Sequence, residues 1–121
     1  MAQRKVVQAA FYRTSAAGTE PVREWLKSLS VEDRKLIGED IKAVEMSWPL
    51  GLPLVRKMEA DLWEIRTILP RRKSRVLFTI WGVFLVLLHG FMKKDQRTPR
   101  TDLDLARKRR DAVLRGGIRH E

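Results

Sequence analysis

A chain of 121 residues, 44% hydrophobic and 33% charged, has the size and composition of one folded domain rather than of a disordered tail. Its formal charge of +10 falls mostly after residue 50, and an excess of this kind attracts polyanions: nucleic acid, an anionic membrane surface or an acidic protein. With no cysteine there is no disulfide, thiolate nucleophile or Cys-ligated zinc. The two histidines, His89 and His120, are too far apart in sequence to suggest a metal motif, and no apolar run reaches signal-peptide or membrane-span length, so a cytoplasmic protein without metal or cofactor is expected.

The first element is a β-rich run, Val6 to Tyr12, broken by Ala16-Ala17-Gly18-Thr19. Thr19, Glu20 and Pro21 then supply cap, acid and proline for a helix carrying Val22, Trp25, Leu26 and Leu29. Ser30 with Asp33 resembles a capping box and starts a second helix, in which Ile37, Ile41, Val44 and Trp48 fall on one stripe until Pro49, Gly51 and Pro53 end it. From Leu62 the apolar period changes to two. Leu62–Leu69, Ser74–Trp81 and Val83–Phe91 read as three strands of an antiparallel meander, joined by Pro70-Arg71-Arg72-Lys73 and a tight turn at Trp81-Gly82. A basic loop, Met92 to Arg100, leads to a last helix that Thr101 caps, with Leu103, Leu105, Ala106, Val113 and Leu114 as its apolar residues. The predicted order is β-α-α-β-β-β-α, a single α+β domain with helices packed on a sheet.

A four-residue turn after Leu69 places Ile68 opposite Arg75 and Arg66 opposite Leu77. Arg66 and Arg75 then become diagonal neighbours on one sheet face, about 7 Å apart at Cβ, a spacing that suits one phosphate. The other face carries Trp63, Ile65, Thr67, Leu69, Val76, Phe78 and Ile80, continuing into Val83, Leu85, Leu87 and Phe91, as a core against the two helices. Two solvated arginines paired with Glu64 would be the plainer account, since most exposed charges do nothing specific. Against it, both arginines interrupt apolar strands, and the last strand leads into Lys93-Lys94, so that four cations converge. Arginine forks and lysine point charges hold phosphates and stabilise a pentacovalent transition state.

His89 falls on the helix-packed face with Leu87 and Phe91 and reads as a satisfied, partly buried histidine rather than a general base. Trp25, Trp48 and Trp63 sit on core stripes, whereas Trp81 at a hairpin tip is free to stack on a base or to lie exposed. Arg71, Arg72 and Lys73 in the turn, Arg97 in the basic loop, and Arg107, Arg109 and Arg110 on the last helix are candidate contacts to an RNA backbone.

Taken in order, Leu62-Trp63-Glu64-Ile65-Arg66, Ser74-Arg75-Val76-Leu77-Phe78, Leu87-Leu88-His89-Gly90-Phe91-Met92-Lys93-Lys94, Thr98-Pro99 and Asp102-Leu103-Asp104-Leu105-Ala106 resemble the HigB-like, phage-derived branch of the RelE/ParE toxin superfamily. The resemblance runs from the first strand to the last helix and is strongest over residues 62–106. It implies a type II toxin, a metal-independent ribonuclease that cleaves mRNA in the ribosomal A site and is restrained by a cognate antitoxin, a small helix-turn-helix protein of HigA type. The implied chemistry is attack of a ribose 2′-OH on the adjacent phosphate, with Arg66 and Arg75 matching strand-borne basic residues of RelE-like toxins and Lys93 and Lys94 lying where the family places a further cation. The chain departs from RelE in having its only tyrosine, Tyr12, in the first strand and in placing Glu64 where a lysine is expected. Glu64 is then either a base for the 2′-OH or a partner of Arg66. ParE-like gyrase inhibition and a non-catalytic basic nucleic-acid-binding module are the alternative functions, because a shared fold does not settle activity.

Overall fold

A computed structural model describes residues 4–14, 18–94 and 96–117; the Ala16-Ala17 break and His120 lie outside the described residues. Strand β1 (Gln8–Phe11) is followed by helices α1 (Pro21–Lys27) and α2 (Val31–Ser47), strands β2 (Val55–Glu59), β3 (Leu62–Ile68), β4 (Lys73–Trp81) and β5 (Phe84–Lys93), and helix α3 (Arg100–Gly116). The five strands form one sheet in the order β1-β5-β4-β3-β2, in which β1 runs parallel to β5 and the other pairs are antiparallel.

The α+β class and the β3–β5 meander agree with the sequence, and α2 begins where expected, with the Ser30 hydroxyl accepting from the Asp33 N–H at 3.1 Å. Strand β2 is additional. Its sequence, Val-Arg-Lys-Met-Glu, has no apolar alternation, because it forms an edge with most of its side chains outside the core. Helix α3 starts at Arg100 with Pro99 at the cap position, so Thr101 lies inside the first turn and is not the cap.

Two features correct the expected pairing. The Leu69 N–H donates to the Arg72 carbonyl at 2.8 Å, closing the β3–β4 hairpin over Pro70-Arg71 alone. Arg66 is therefore directly opposite Arg75, and Lys73, not Arg75, faces Ile68. The shift is two residues, so every side chain keeps its face. In β5, Leu87 pairs with Phe78 but His89 pairs with Leu77, which leaves Leu88 as a bulge. One extra residue reverses the alternation beyond it. Leu85 and Leu87 stay on the α1/α2 side as expected, whereas His89 and Phe91 turn to the opposite face.

Helices pack on both faces of the sheet. Against α1 and α2 pack Ile65, Leu69, Val76, Phe78, Leu85 and Leu87, with Trp48, Trp63 and Phe78 in mutual ring contact at 5.1–5.8 Å. Trp25 lies so close to Gly90 that a Cβ there would stand 2.4 Å from the indole. On the other face Leu62, Leu77, Val86, Leu88 and Phe91 pack against Ala106, Ala112 and Val113 of α3. The face expected to be open to solvent is thus half covered, and only the end nearest the β3–β4 hairpin lies beyond α3.

Candidate functional site

At that uncovered end the sheet presents ordered rows of side chains. Arg56 of β2 is opposite Glu64 of β3, which is opposite Leu77 and then His89. The next row holds Arg66, Arg75 and Phe91, and the one beyond it Ile68, Lys73 and Lys93. Period-two alternation puts all ten residues on the α3 side.

Glu64 organises the middle of this surface. Its side chain is 2% exposed and Arg75's is 4% exposed, while Arg66 at 31% reaches solvent. Glu64 Oε1 stands 3.6 Å from Arg75 Nε and 4.0 Å from Arg66 Nε, and Oε2 accepts from the Thr98 hydroxyl at 3.2 Å. The two ion-pair distances exceed hydrogen-bonding range, so one carboxylate attracts both guanidinium groups without occupying their donors. Arg75 Nη1 donates to the Ser74 carbonyl at 2.9 Å, and Arg66 Nε is buried with no hydrogen-bond partner. The outcome is two arginines held in place with donor capacity to spare, an arrangement suited to a phosphate.

The cations press on one another. Burial, then the charges of Arg66 and Arg56, push the Arg75 pKa down against the pull of Glu64. Lys93 is likewise lowered, by desolvation first and then by Arg75, Arg66 and Lys73. Lysines and arginines so placed are relieved by an anion.

The expected site residues separate into groups. Arg66, Arg75, Glu64, Lys73 and Lys93 come together. Lys94, one residue beyond β5, is exposed, as are Arg71 and Arg97; Arg72 reaches Asp33 at 3.3 Å. The α3 arginines are engaged within the chain. Arg107 Nη2 and Arg110 Nη1 clamp the two Glu59 oxygens at 2.7 and 2.6 Å, which holds that carboxyl below its ordinary range. Arg109 donates to the Leu88 carbonyl at 2.8 Å with its guanidinium 5.7 Å from the Tyr12 ring. His89 is satisfied as expected, 2.6 Å from Asp102 and stacked on Phe91. Trp81 is 41% exposed and lies beside Gly117 at the far end of α3.

Sequence reasoning missed Arg56 and Thr98. Arg56 belongs to the strand that lacked a pattern, and Thr98 entered only through the Thr98-Pro99 pair of the family resemblance. Nothing local tied the Thr98 hydroxyl to Glu64, 34 residues away. Among the described residues no group of three or more His, Asp or Glu side chains is placed to hold a metal ion, and no helix is long and apolar enough to cross a membrane.

A family model described as phage derived protein Gp49-like (DUF891) matches residues 24–111, from within α1 to within α3, and so includes every row of the site. No curated protein matches the chain.

Proposed function

The chain belongs to the phage-derived Gp49-like family, a branch of the RelE/HigB-like toxin superfamily, and from that premise we propose that it is a toxin that cuts mRNA on the ribosome. The observation that carries this reading is the facing pair Arg66 and Arg75, set in place by a buried carboxylate yet retaining free donors. The ribose 2′-OH attacks the neighbouring phosphorus, the O2′–P bond forms, and the P–O5′ bond breaks to leave a 2′,3′-cyclic phosphate and a 5′-OH. The extra negative charge on the phosphoryl oxygens is what two preoriented guanidinium groups stabilise, and removing one such donor typically costs about 10²–10³ in rate. Glu64, buried and hydrogen-bonded to Thr98, acts as the counter-charge that spaces the arginines. Arg71, Lys94 and Arg97 supply exposed positive charge for the RNA and ribosome, and a helix-turn-helix antitoxin of HigA type restrains the toxin.

Inducing the chain without an antitoxin and mapping mRNA 5′ ends tests this. New codon-related ends should appear within minutes, and Arg66→Ala with Arg75→Ala should abolish them while the protein still accumulates folded. Intact mRNA with DNA-damage signalling would replace the proposal with gyrase inhibition, and intact mRNA without it would leave a non-catalytic binding module.

A further inference from the structure

The lysine row lies on the same face as the arginine row and two residues further along each strand. Lys73 lies two residues before Arg75 in β4 and Lys93 two residues after Phe91 in antiparallel β5, with Lys73 and Lys93 directly paired. Two residues of β-strand advance about 6.6 Å. That step is comparable with the interval between successive phosphates of an extended single strand, so the two rows have the pitch of a nucleic-acid backbone running along the strands.

The direction of such a backbone is set by what borders the arginine row on its two sides. Towards α3 the neighbouring row carries the Glu64 carboxylate, in register with Arg56 and facing both arginines, so an anion there meets negative charge. There Thr98 closes over Glu64, and His89 is tied to Asp102 in the first turn of the helix. Towards the hairpin the neighbouring row has two cations and, among the described residues, no carboxylate ion-paired with either. Lys93 is half-buried, and the charges of Arg75, Arg66 and Lys73 act on it. Ile68, the third member of that row, is 76% exposed and offers an apolar surface beside the lysines. Beyond it stands exposed Arg71 in the Pro70-Arg71 turn. The carboxylate on one side and the two lysines on the other therefore direct an anionic chain from the arginine pair towards the hairpin.

We infer that Lys73 and Lys93 form a second phosphate subsite that holds the phosphodiester adjacent to the scissile one, so that single-stranded RNA lies along β4 and exits over the β3–β4 hairpin. The inference rests on the reading of Arg66 and Arg75 as the scissile-phosphate site. Lysines engaging only one linkage make a substrate of two consecutive phosphates bind better than one of a single phosphate, whatever the bases.

Binding of uncleavable 2′-O-methyl uridine trimers, followed by amide chemical shifts of the full chain at low salt, tests it. The trimer has two linkages, and either can be replaced by a neutral methylphosphonate. With wild type, neutralising either linkage should weaken binding by roughly tenfold, the worth of a charge-assisted hydrogen bond. In Lys73→Gln/Lys93→Gln, the fully charged trimer should bind roughly tenfold more weakly, and one of the two neutralisations should cost nothing further. Lys73→Arg/Lys93→Arg should restore sensitivity to both, and the identity of the insensitive linkage tells whether the subsite lies 5′ or 3′ of the cut. A glutamine variant as sensitive to both neutralisations as wild type would overturn the second subsite and leave the arginine site standing. A wild-type chain that binds no trimer, charged or neutral, would overturn both.

Discussion

Replacing Glu64 with glutamine keeps the shape of the side chain and its acceptor for Thr98 but removes the charge that both arginines face. At 3.6 Å from Arg75 and 4.0 Å from Arg66, the gross attraction at an effective dielectric constant near 20 is about 4 kcal/mol for each pair. Much of that is repaid in desolvation, and because Arg66 is 31% exposed its share is screened. Arg75 dominates: it stays buried, still bonded to the Ser74 carbonyl, but uncompensated. A net loss of about 2–4 kcal/mol is expected, reaching below the usual cost of breaking a fully buried pair because Arg66 is partly solvated. For a domain of this size that is about 6–15 °C in Tm. Inorganic phosphate should restore part of the loss if the arginine pair is the proposed phosphate site, since a ligand of the native state stabilises by about 2.7 kcal/mol at one hundred times its Kd. Without the competing carboxylate, phosphate should raise the Tm of the variant more than that of wild type. Thermal melts of both proteins over a phosphate series, at constant ionic strength, provide the assay. A variant melting within about 2 °C of wild type, or an equal phosphate response in both, would refute the view that Glu64 spaces two otherwise free guanidinium groups.

Gly90→Ala should destabilise the domain by about 1–3 kcal/mol in urea unfolding, because the new methyl meets the Trp25 ring at 2.4 Å and neither strand nor indole can easily retreat. Glu59→Gln should cost about 1 kcal/mol at neutral pH by releasing Arg107 and Arg110. The Glu59 carboxyl is held below its ordinary value of 4.5, so its contribution is present above that pH and fades as the pH falls through the lowered value. The gap between wild type and Glu59→Gln should therefore close in acid, as read by denaturation midpoints from pH 7 downward. Thr98→Val should lose about 1 kcal/mol through its bond to Glu64, measured by the same melts.

The shared face of Arg66 and Arg75 was legible because strand alternation survives a register error of two residues. The hairpin closed over two residues instead of four, and the arginines moved from diagonal to facing positions without changing sides. Parity after Leu88 was not legible. A bulge there puts Phe91 and Lys93 on the arginine side, and no local residue pattern announces the extra residue. Strand β2 was hidden for a related reason, since an exposed edge need not alternate, and with it went Arg56. The basic run of the last helix looked like a diffuse polyanion contact. Its arginines have long-range partners, Glu59 and the Leu88 carbonyl, that only the tertiary fold brings within reach. Charge that is diffuse in sequence is thus divided by the fold into a structural clamp on α3 and a focused surface at the end of the sheet.

The central claim is that the facing arginines stabilise phosphoryl transfer within RNA. Its most direct test is a reconstituted ribosomal complex carrying a defined, end-labelled mRNA in the A site, mixed with purified wild-type chain or with Arg66→Ala or Arg75→Ala. Cleavage that leaves a 2′,3′-cyclic phosphate, is blocked by a single 2′-deoxy substitution at the cut, and slows by about 10²–10³ in either variant is the predicted result. Uncut mRNA at saturating wild-type protein, or cleavage at an equal rate by the arginine variants, would contradict it.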